Sequence, residues 1–363
     1  MKGRDLLTEP PVKWELHGSA LLLNPRLPDT RRDAVLQAEF PDLEDHVWLA
    51  TSGTGGRTKQ VALSRQALES SAQAVNAHLG ATPRDIWLNP LPLFHVGGLG
   101  IRVRAALTGS RCEELGGWSP EAYVEAAKSC RATLSSLVPT QVHDLVRGGW
   151  RAPETLRAVV VGGDALSEAL CAEAAVMGWP LLPSYGLTEA ASQVATAAPG
   201  EEVTNWWPLL RHLEARVGEG GILQLRGPSL LTGWMIFGED GRVHFEDPKC
   251  DGWYKTTDHV ELRDGKLRVI GRCDDLIKIR GELVDIASLE RELQARVPSG
   301  LVRLDSAPDA RNGALLSVVA ENNSALREAR RAVDCFPPFA RPEVFRVGDV
   351  GLGPLGKKIR PKP

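Results

Sequence analysis

The chain has 363 residues, of which 43% are hydrophobic and 25% are charged, which is the composition of an ordinary globular protein. Because this length exceeds the roughly 250 to 300 residues at which a single hydrophobic core stops growing, we expect two domains. The formal net charge of −3 gives no electrostatic reason to expect nucleic acid or an anionic membrane as a partner, and we expect neither a signal peptide nor a membrane span, because no apolar run is long enough. Six scattered cysteines without a C-x-x-C pair favour reduced thiols in a cytoplasmic protein over a disulfide framework or a zinc site.

The first segment with a chemical signal is residues 51–59, Thr-Ser-Gly-Thr-Gly-Gly-Arg-Thr-Lys, directly after an apolar run. Its glycines allow backbone N–H groups to turn onto an anion, its hydroxyls add donors and its cations supply charge, so it suits a phosphate cradle. A small-residue loop that binds nothing is equally consistent with this segment alone. It is neither a Walker loop nor a dinucleotide fingerprint, because Thr58 stands where each motif requires glycine.

The residues after this segment predict a second strand at 60–63 and then a helix. Ser64 is a suitable N-cap, and the helical pattern ends near Leu79, where Gly80 can act as C-cap. We therefore expect a strand-loop-strand in which loop amides, hydroxyls and Lys59 hold any phosphate, without a helix dipole.

Strand and helix patterns then alternate. An apolar strand is expected over residues 85–94, ending in His95 and a pair of glycines; His95 is interpreted as a pocket or a core histidine, the core being favoured because histidine is of intermediate burial. Helices are predicted at 120–129 and 167–177 and strands at 132–138 and 156–161. This alternation predicts an α/β domain with a mostly parallel sheet, whose ligands gather at the carboxyl ends of the strands.

From about residue 218 the pattern changes to shorter, more polar β segments. A strand is predicted at 221–227 and a hairpin at 260–270, with Asp264-Gly265 as its turn. Residues 271–281 are dense in opposite charges, for which a solvated loop is the simplest interpretation. A helix at 286–297 and a strand at 315–320 indicate a small C-terminal α+β domain of about 90 residues. We therefore divide the chain into domains 1–273 and 274–363.

Five segments in this order resemble the adenylate-forming superfamily of acyl-CoA synthetases, luciferases and peptide-synthetase adenylation domains. Residues 52–59 resemble its phosphate loop, and Tyr185-Gly-Leu-Thr-Glu189 resembles its nucleotide and magnesium motif. Thr257-Asp258 is similar to its ribose-binding aspartate, residues 271–274 to its hinge, and Gly356-Lys357-x-x-Arg360 to its terminal lysine motif. Each segment alone is weak evidence, whereas five in a fixed order are strong.

The resemblance implies a two-step reaction and a set of site residues. A carboxylic acid, ATP and CoA are the expected small-molecule partners, with Mg²⁺ as cofactor: the acid first forms an acyl adenylate, and the CoA thiolate then displaces AMP. The implied catalytic residues are Thr188, Glu189, Lys278 and Lys357, with Glu189 as the magnesium ligand and Asp274 as the hinge. The implied ATP-binding residues are Ser52, Gly53, Thr54, Gly55, Gly56, Lys59, Gly163, Asp164, Tyr185, Gly186, Asp258 and Arg272. The implied acyl-pocket residues are His95, Thr140, Gln141, Gly163 and Ser192, although strand-end packing is an equal interpretation of Thr140, Gln141 and Ser192.

Within the superfamily, the segments at 92–98, 138–141, 162–165 and 185–192 are most similar to the o-succinylbenzoate-CoA ligases of menaquinone biosynthesis. A ligase for another acid or for a carrier protein is the alternative, and Gly55 and Thr58, which depart from the family loop, also leave open a nucleotide-binding module without catalysis. Lys358 competes with Lys357 for the catalytic role. The sequence leaves the oligomeric state open, with a homodimer as one option.

Overall fold

The computed structural model describes residues 18–25, 29–52, 58–238, 242–273, 276–279, 282–309 and 312–350. The chain divides into two compact units: Met1–Glu219, Leu223–Thr256 and Glu261–Arg268 form the first, and Gly220–Ile222, Thr257–Val260 and Val269–Pro363 form the second. The division into domains 1–273 and 274–363 stays a prediction. No helix in the described ranges is long and apolar enough to cross a membrane.

The glycine-rich segment lies on a hairpin of the first sheet. The opening elements are β1 (Ala20–Leu22), α1 (Asp29–Gln37), β2 (His46–Ser52), β3 (Thr58–Ser64) and α2 (Arg65–Leu79). Strands β2 and β3 pair antiparallel with Ser52 opposite Thr58, which confirms the predicted strand-loop-strand. Helix α2 is also as predicted: the Ser64 hydroxyl accepts a hydrogen bond from the Ala67 N–H, and Gly80 has the left-handed conformation, φ 57°, of a helix C-cap.

A mostly parallel sheet follows, as the alternating pattern predicts. Its elements are β4 (Ile86–Asn89), α3 (Val96–Thr108), β5 (Arg111–Glu114), α4 (Pro120–Ser129), β6 (Leu134–Leu137), α5 (Pro139–Arg147), β7 (Ala158–Val161), α6 (Glu168–Val176), β8 (Leu181–Leu187) and β9 (Ser192–Thr196). The strand order is β5-β4-β6-β7-β8-β9, and only the β8–β9 pair is antiparallel. Helices cover both faces: buried residues of α4, α5 and α6 pack on one side of the sheet, and those of α2 and α3 pack on the other.

The strand expected over 85–94 is wrong in its second half, and the helices α3 and α5 were not predicted; nor were α1 and the later helix Asn323–Ala332. Strand β4 ends at Asn89, because Pro90 and Pro92 have no N–H to donate to the sheet. The paired glycines lie in the first turn of α3, where a Cβ on Gly98 would come within 2.4 Å of the Leu91 carbonyl oxygen. Pro139 follows a strand, as expected, but it also begins the unpredicted helix α5, a position that suits proline because its missing N–H has no partner there.

The β-rich segment of the chain forms a separate sheet of its own, and it adds two strands to the sheet of β1, β2 and β3. Its strands are β10 (Trp207–Pro208), β11 (Glu214–Val217), β12 (Ile222–Arg226), β13 (Gly233–Phe237), β14 (Val243–Glu246), β15 (Lys249–Cys250), β16 (Trp253–Arg263) and β17 (Lys266–Arg272). The separate sheet has the order β10-β17-β16-β12-β11, with β15 paired to β16. The predicted turn at Asp264-Gly265 is confirmed, since both residues have the positive φ of a two-residue hairpin turn. Strands β13 and β14 extend the first sheet to β1-β2-β3-β13-β14.

The C-terminal residues of the second unit form an α+β body with its own core. Its elements are β18 (Leu276–Ile279), β19 (Glu282–Asp285), α7 (Ile286–Ala295), β20 (Val302–Asp309), β21 (Gly313–Ala320), α8 (Asn323–Ala332) and β22 (Val344–Val347). Strands β20, β21 and β22 form a three-stranded sheet, and residues of α7 and α8 pack in one cluster with its buried side chains. The segment 271–281, interpreted as a solvated loop, contains the end of β17 and all of β18. The α/β fold class with a C-terminal α+β part is confirmed.

Candidate active site

The hairpin of β2 and β3 places the predicted phosphate-loop lysine against an indole ring. Lys59 is the second residue of β3, and its Nζ lies 3.4 Å from the centroid of the Trp234 ring on β13. Ser52 is the last residue of β2. Gly53, Thr54, Gly55 and Gly56 lie outside the described residues, so their predicted contacts with phosphate stay predictions.

The predicted nucleotide and magnesium motif forms a tight turn between β8 and β9. Tyr185 and Gly186 lie in β8, and Thr188 and Glu189 form a single 3₁₀ turn that begins where this strand ends. The turn is fixed by backbone contact, because a Cβ on Gly186 would come within 2.2 Å of the Ser192 carbonyl oxygen.

The two residues before β13, Leu231 and Thr232, tie this turn to the first sheet. The Leu231 N–H donates to the Glu189 carbonyl oxygen at 2.8 Å, and the Lys249 ammonium donates to the carbonyl oxygens of Leu231 and Thr232, at 2.5 and 3.3 Å. The Glu189 backbone is therefore hydrogen-bonded to a segment that Lys249 anchors in turn, which suits a group that must meet a phosphate in a fixed position.

A buried cation lies beside the turn. Arg104 on α3 is 2% exposed, and its guanidinium donates to the Ser136 hydroxyl on β6 at 3.5 Å and to the Ser192 hydroxyl at 3.3 Å. Burial lowers the pKa of Arg104 to about 10, which leaves the guanidinium charged at neutral pH. Within the described part of the chain its partners are these hydroxyls and the Trp87 ring, whose centroid lies 5.4 Å from Cζ, and it forms no ion pair with a carboxylate. A buried charge of this kind is costly unless a counter-ion reaches it.

Ser192 itself has a strained backbone. It adopts φ 122°, and the preceding Ala191 adopts φ 55°, in the region that favours glycine. Such outliers cluster at functional sites, where surrounding contacts keep them in place. The predicted acyl-pocket residue Ser192 is thus the link between the Thr188–Glu189 turn and Arg104.

The other predicted acyl-pocket residues lie at the starts of helices and at a strand end. His95 is exposed at the N-cap of α3, with its ring centroid 4.7 Å from that of Phe94, so the favoured interpretation as a core histidine is wrong. Thr140 is exposed in the first turn of α5, whereas Gln141 is buried and accepts from the Val138 N–H at 3.0 Å. The Gln141 side chain therefore caps α5, and its acyl-pocket role, like the roles of His95 and Thr140, stays a prediction.

The loop after β7 carries the predicted Gly163-Asp164 pair. Gly163 adopts φ +89°, and a Cβ there would lie 3.5 Å from Val138 Cγ1. Asp164 accepts from the Ala165 N–H at 2.7 Å. Because Val138 and Gly163 each follow a parallel strand, the structure brings both to the carboxyl edge of the sheet, where a ligand is expected.

The predicted ribose residues meet within the second unit. Arg272 Nε lies 3.8 Å from Asp258 Oδ1, and Arg272 also donates to the Thr257 hydroxyl at 2.9 Å. The Asp258 side chain is 14% exposed. A carboxylate beside a cation and a hydroxyl is an acceptor that can bind sugar hydroxyls.

Three predicted residues cannot be placed by their side chains. Lys278 belongs to β18, and its side chain lies outside the described residues. Asp274 and Lys357 also lie outside them. The hinge and terminal-lysine roles stay predictions.

Near the turn, the Glu189 carboxylate is the predicted magnesium ligand. The described residues contain no group of three or more His, Cys, Asp or Glu side chains that could hold a metal ion. Magnesium characteristically binds through one or two carboxylates together with substrate phosphates and water. The single carboxylate of Glu189 is consistent with that mode.

Sequence reasoning missed Arg104, Ser136 and Trp234. A helix assignment for residues 96–108 would have revealed Arg104, because it would place a charged residue between Val103 and Ala105 on the buried side of an apolar helix. Neither Ser136 nor Trp234 carries such a signal, since their partners Arg104 and Lys59 are distant in sequence.

The doubly wound sheet, the β2–β3 hairpin that carries Lys59, and the turn with Thr188 and Glu189 have the arrangement expected of a nucleotide-binding enzyme. The model of the AMP-binding enzyme family matches residues 11–233, and the chain belongs to this family.

Within this family, the chain is similar to several 2-succinylbenzoate–CoA ligases. The 2-succinylbenzoate–CoA ligase of Bacillus licheniformis is 30% identical over 305 residues, which cover 79% of this chain and 63% of that enzyme. The corresponding ligase of Salmonella typhimurium is 34% identical over 246 residues, covering 68% of this chain and 51% of that enzyme. This chain thus spans about half to two thirds of the length of these relatives.

Solved structures agree on the fold. The o-succinylbenzoate coenzyme A synthetase of Bacillus subtilis, in complex with ATP and magnesium ion, has a TM-score of 0.77 at 24% identity, covering 94% of this chain and 78% of that one. Wild-type E. coli MenE, with a bound m-phenylether-linked analogue of OSB-AMS, has a TM-score of 0.62 at 27% identity, covering 87% of this chain and 70% of that one.

Proposed function

We propose that the chain is an AMP-forming acid–CoA ligase that activates o-succinylbenzoate, in menaquinone biosynthesis. The observation that carries the substrate assignment is the buried Arg104 guanidinium beside Ser192, at the edge of the turn that holds Thr188 and Glu189. The family membership and the 2-succinylbenzoate–CoA ligase relatives support the reaction class.

The first half-reaction joins a carboxylate to the α-phosphorus of ATP. A carboxylate oxygen forms the new P–O bond, the bond to the β-phosphate breaks, and pyrophosphate leaves. Because the reactants are both anions, the protein must position them and offset their charge. We assign Ser52, Gly53, Thr54, Gly55, Gly56 and Lys59 to the outer phosphates, and Thr188 to the α-phosphate. Magnesium, when bound at Glu189, would neutralise phosphate charge.

The adenosine and the attacking carboxylate need further groups. We assign Asp258 and Arg272 to the ribose, and Gly163, Asp164, Tyr185 and Gly186 to the rest of the nucleotide. Lys357 would hold the attacking carboxylate against the α-phosphoryl oxygens, and a donor of this kind typically contributes about 10² to 10³ in rate.

The second half-reaction forms the thioester. The CoA thiolate adds to the adenylate carbonyl, the bond to the phosphate oxygen breaks, and AMP leaves. We propose that the C-terminal part turns about Asp274 between the two steps, withdrawing Lys357 and presenting Lys278. The proposed enzyme is cytoplasmic, as the scattered cysteines lead us to expect, and a homodimer stays one option for its assembly.

Arg104 favours an acid with two carboxylates. The activated carboxylate loses its charge when the adenylate forms, so it cannot remain the counter-ion of a buried guanidinium. A second carboxylate on the same substrate keeps its charge through both steps and can accept a bidentate pair of hydrogen bonds from arginine. o-Succinylbenzoate carries two carboxylates, whereas simple aryl and acyl acids carry one.

The test is pyrophosphate release with MgATP, CoA and a panel of mono- and dicarboxylic aromatic acids, with mass spectrometry of the thioester. We expect o-succinylbenzoate to give the highest kcat/KM. Turnover with none of the acids, in the presence of CoA or a carrier protein, would refute the ligase assignment and favour a nucleotide-binding module. Turnover confined to monocarboxylic acids would refute the succinylbenzoate assignment alone.

A further inference from the structure

Trp234 is held in one orientation by contacts on several sides. It is 9% exposed, and its indole N–H donates to Glu246 Oε1 at 2.7 Å. The Tyr254 ring meets it edge to face, with centroids 6.0 Å apart and planes at 84°. A hydrogen bond at the ring edge and an aromatic neighbour leave the indole little freedom to turn, so its position is built into the sheet.

The face of this ring receives the ammonium of Lys59. Val61 on β3 pairs with Trp234, and Lys59 pairs with Ile236 two residues further along β13. Lys59 and Trp234 are therefore diagonal neighbours on one face of the sheet, within reach of long side chains. The Nζ–centroid distance of 3.4 Å is a close cation–π contact, for which indole is the best of the three aromatic rings.

This contact matters because lysine is otherwise a flexible point charge. Its four-carbon stem has many rotamers, and ordering it on ligand binding costs conformational entropy. An ammonium on a fixed indole face has already lost part of that freedom before an anion binds. Preorganisation of this kind increases affinity without adding a contact to the ligand.

We propose that Trp234 is a positioning residue for ATP: it holds the Lys59 ammonium, at the start of β3, in the orientation that meets the polyphosphate chain. The inference rests on the proposed function, since it assigns the polyphosphate of ATP as the anion that Lys59 meets. Glu246 supports the same role by fixing the indole edge.

The test is a double-mutant cycle on MgATP affinity, measured by isothermal titration calorimetry without a carboxylic acid, so that no turnover occurs. Trp234→Leu should weaken binding by about 5-fold, the range of a partly exposed cation–π contact. In the Lys59→Met background the same substitution should change affinity by less than about 1.5-fold, because Trp234 acts through Lys59. Trp234→Phe, which keeps an aromatic face, should retain most of the affinity.

A matched control distinguishes the contact from a general effect of losing tryptophan. Trp253 lies on β16, in a different sheet from Trp234. The guanidinium groups of Arg216 and Arg226 lie over its ring, 4.0 and 4.8 Å from the ring centroid. Trp253→Leu removes a comparable ring and should leave MgATP affinity unchanged within about 1.5-fold.

A second measurement needs no ATP. Competitive labelling with acetic anhydride, followed by mass spectrometry, gives the reactivity of Lys59 relative to the exposed Lys255 and Lys266 in the ligand-free protein. Trp234→Leu should raise this ratio about 3-fold, because the amine loses the ring that holds and covers its charged form.

Each outcome is decisive. Additive losses in the cycle, tighter MgATP binding by Trp234→Leu, or an unchanged labelling ratio would overturn the positioning role while leaving the ligase assignment standing. A wild-type protein that binds no MgATP would refute the proposed function and this role with it, and the labelling ratio would then report on the Lys59–Trp234 contact alone.

Discussion

Replacing Arg104 by methionine should make the protein more stable and a poorer enzyme at the same time. The guanidinium is 2% exposed and has two serine hydroxyls as its hydrogen-bond partners. Methionine has a similar length and no charge, so it can fill the space without the cost of a buried cation. Charged side chains that lower stability are expected where a ligand supplies the missing counter-ion.

The magnitude follows from the effect of burial on the charge. Burial lowers the pKa of Arg104 from 12.5 to about 10, a difference that corresponds to about 3 kcal/mol against the charged form. Part of this should be regained by Arg104→Met, so we expect a free energy of unfolding higher by about 1 to 2 kcal/mol and a Tm higher by about 2 to 6 °C. If a substrate carboxylate pairs with this guanidinium, its loss should raise KM for the dicarboxylate by about 10²-fold.

The assay combines differential scanning calorimetry with steady-state pyrophosphate release. KM for MgATP should change by less than about 2-fold, because Arg104 is not assigned to the nucleotide. Arg102, two residues earlier on α3, is ion-paired with Glu114 at 3.2 Å on the protein surface, so Arg102→Met removes a paired arginine from the same helix and should leave both readouts nearly unchanged. Arg104→Met with a lower Tm and an unchanged dicarboxylate KM would refute the reasoning, since the guanidinium would then be a structural group with adequate partners.

The remaining predictions concern the turn, the terminal lysine and a buried ion pair. Gly186→Ala should lower Tm by about 2 to 8 °C and kcat by about 10²-fold, because the added Cβ would come within 2.2 Å of a backbone oxygen. Gly116→Ala is the control, since a Cβ there has nothing within 4 Å, and equal behaviour of the two variants would contradict the prediction. Lys357→Ala should slow adenylate formation by about 10² to 10³-fold and leave thioester formation from a preformed adenylate unchanged. Rapid-quench assays of each half-reaction measure the two rates, and an equal loss of rate in both would count against domain rotation. Burial acts to raise the pKa of Asp85, but hydrogen bonds from Arg157 and Thr133 outweigh it and lower the pKa from 3.8 to about 2. The stability that these contacts contribute is therefore present above pH 3.8 and lost as the pH falls toward 2, a loss of about 2 kcal/mol that urea titrations across that window would measure. Arg157→Met should reduce the dependence, because the bonds from Thr133 and Thr82 remain, and an unchanged dependence would contradict the assignment.

Local signals explain which elements could be predicted from the sequence. Helices α2 and α4 have the expected bounds, because each has a serine N-cap whose hydroxyl accepts from a first-turn N–H, and these contacts are encoded within a few residues. The hairpin of β16 and β17 follows from its Asp264-Gly265 turn in the same way. The family resemblance also relied on short segments and was confirmed.

What could not be predicted depends on contacts between distant residues. The three glycines in α3 have low helix propensity, so the sequence does not indicate a helix there. One of them, Gly98, lets the helix backbone come so close to the Leu91 carbonyl that a side chain would not fit. The two hydroxyl partners of Arg104 lie 32 and 88 residues away, and the ring under Lys59 belongs to a strand nearly half the chain length later. No periodicity in the sequence specifies such pairs, because they are set by which strands become neighbours.

The pairing of β2 with β3 also sets which changes the protein can accept in evolution. Thr51 lies opposite Lys59 and Ala50 opposite Gln60, so the two strands specify the face on which each side chain stands. Residues inserted between Ser52 and Thr58 would lengthen the connection at a small entropic cost and leave those faces unchanged. One residue inserted after Thr58 would instead turn every following side chain of β3 over, directing an amide rather than an ammonium toward Trp234. Length variation among related chains should therefore collect inside the loop and be absent from the strand that follows it.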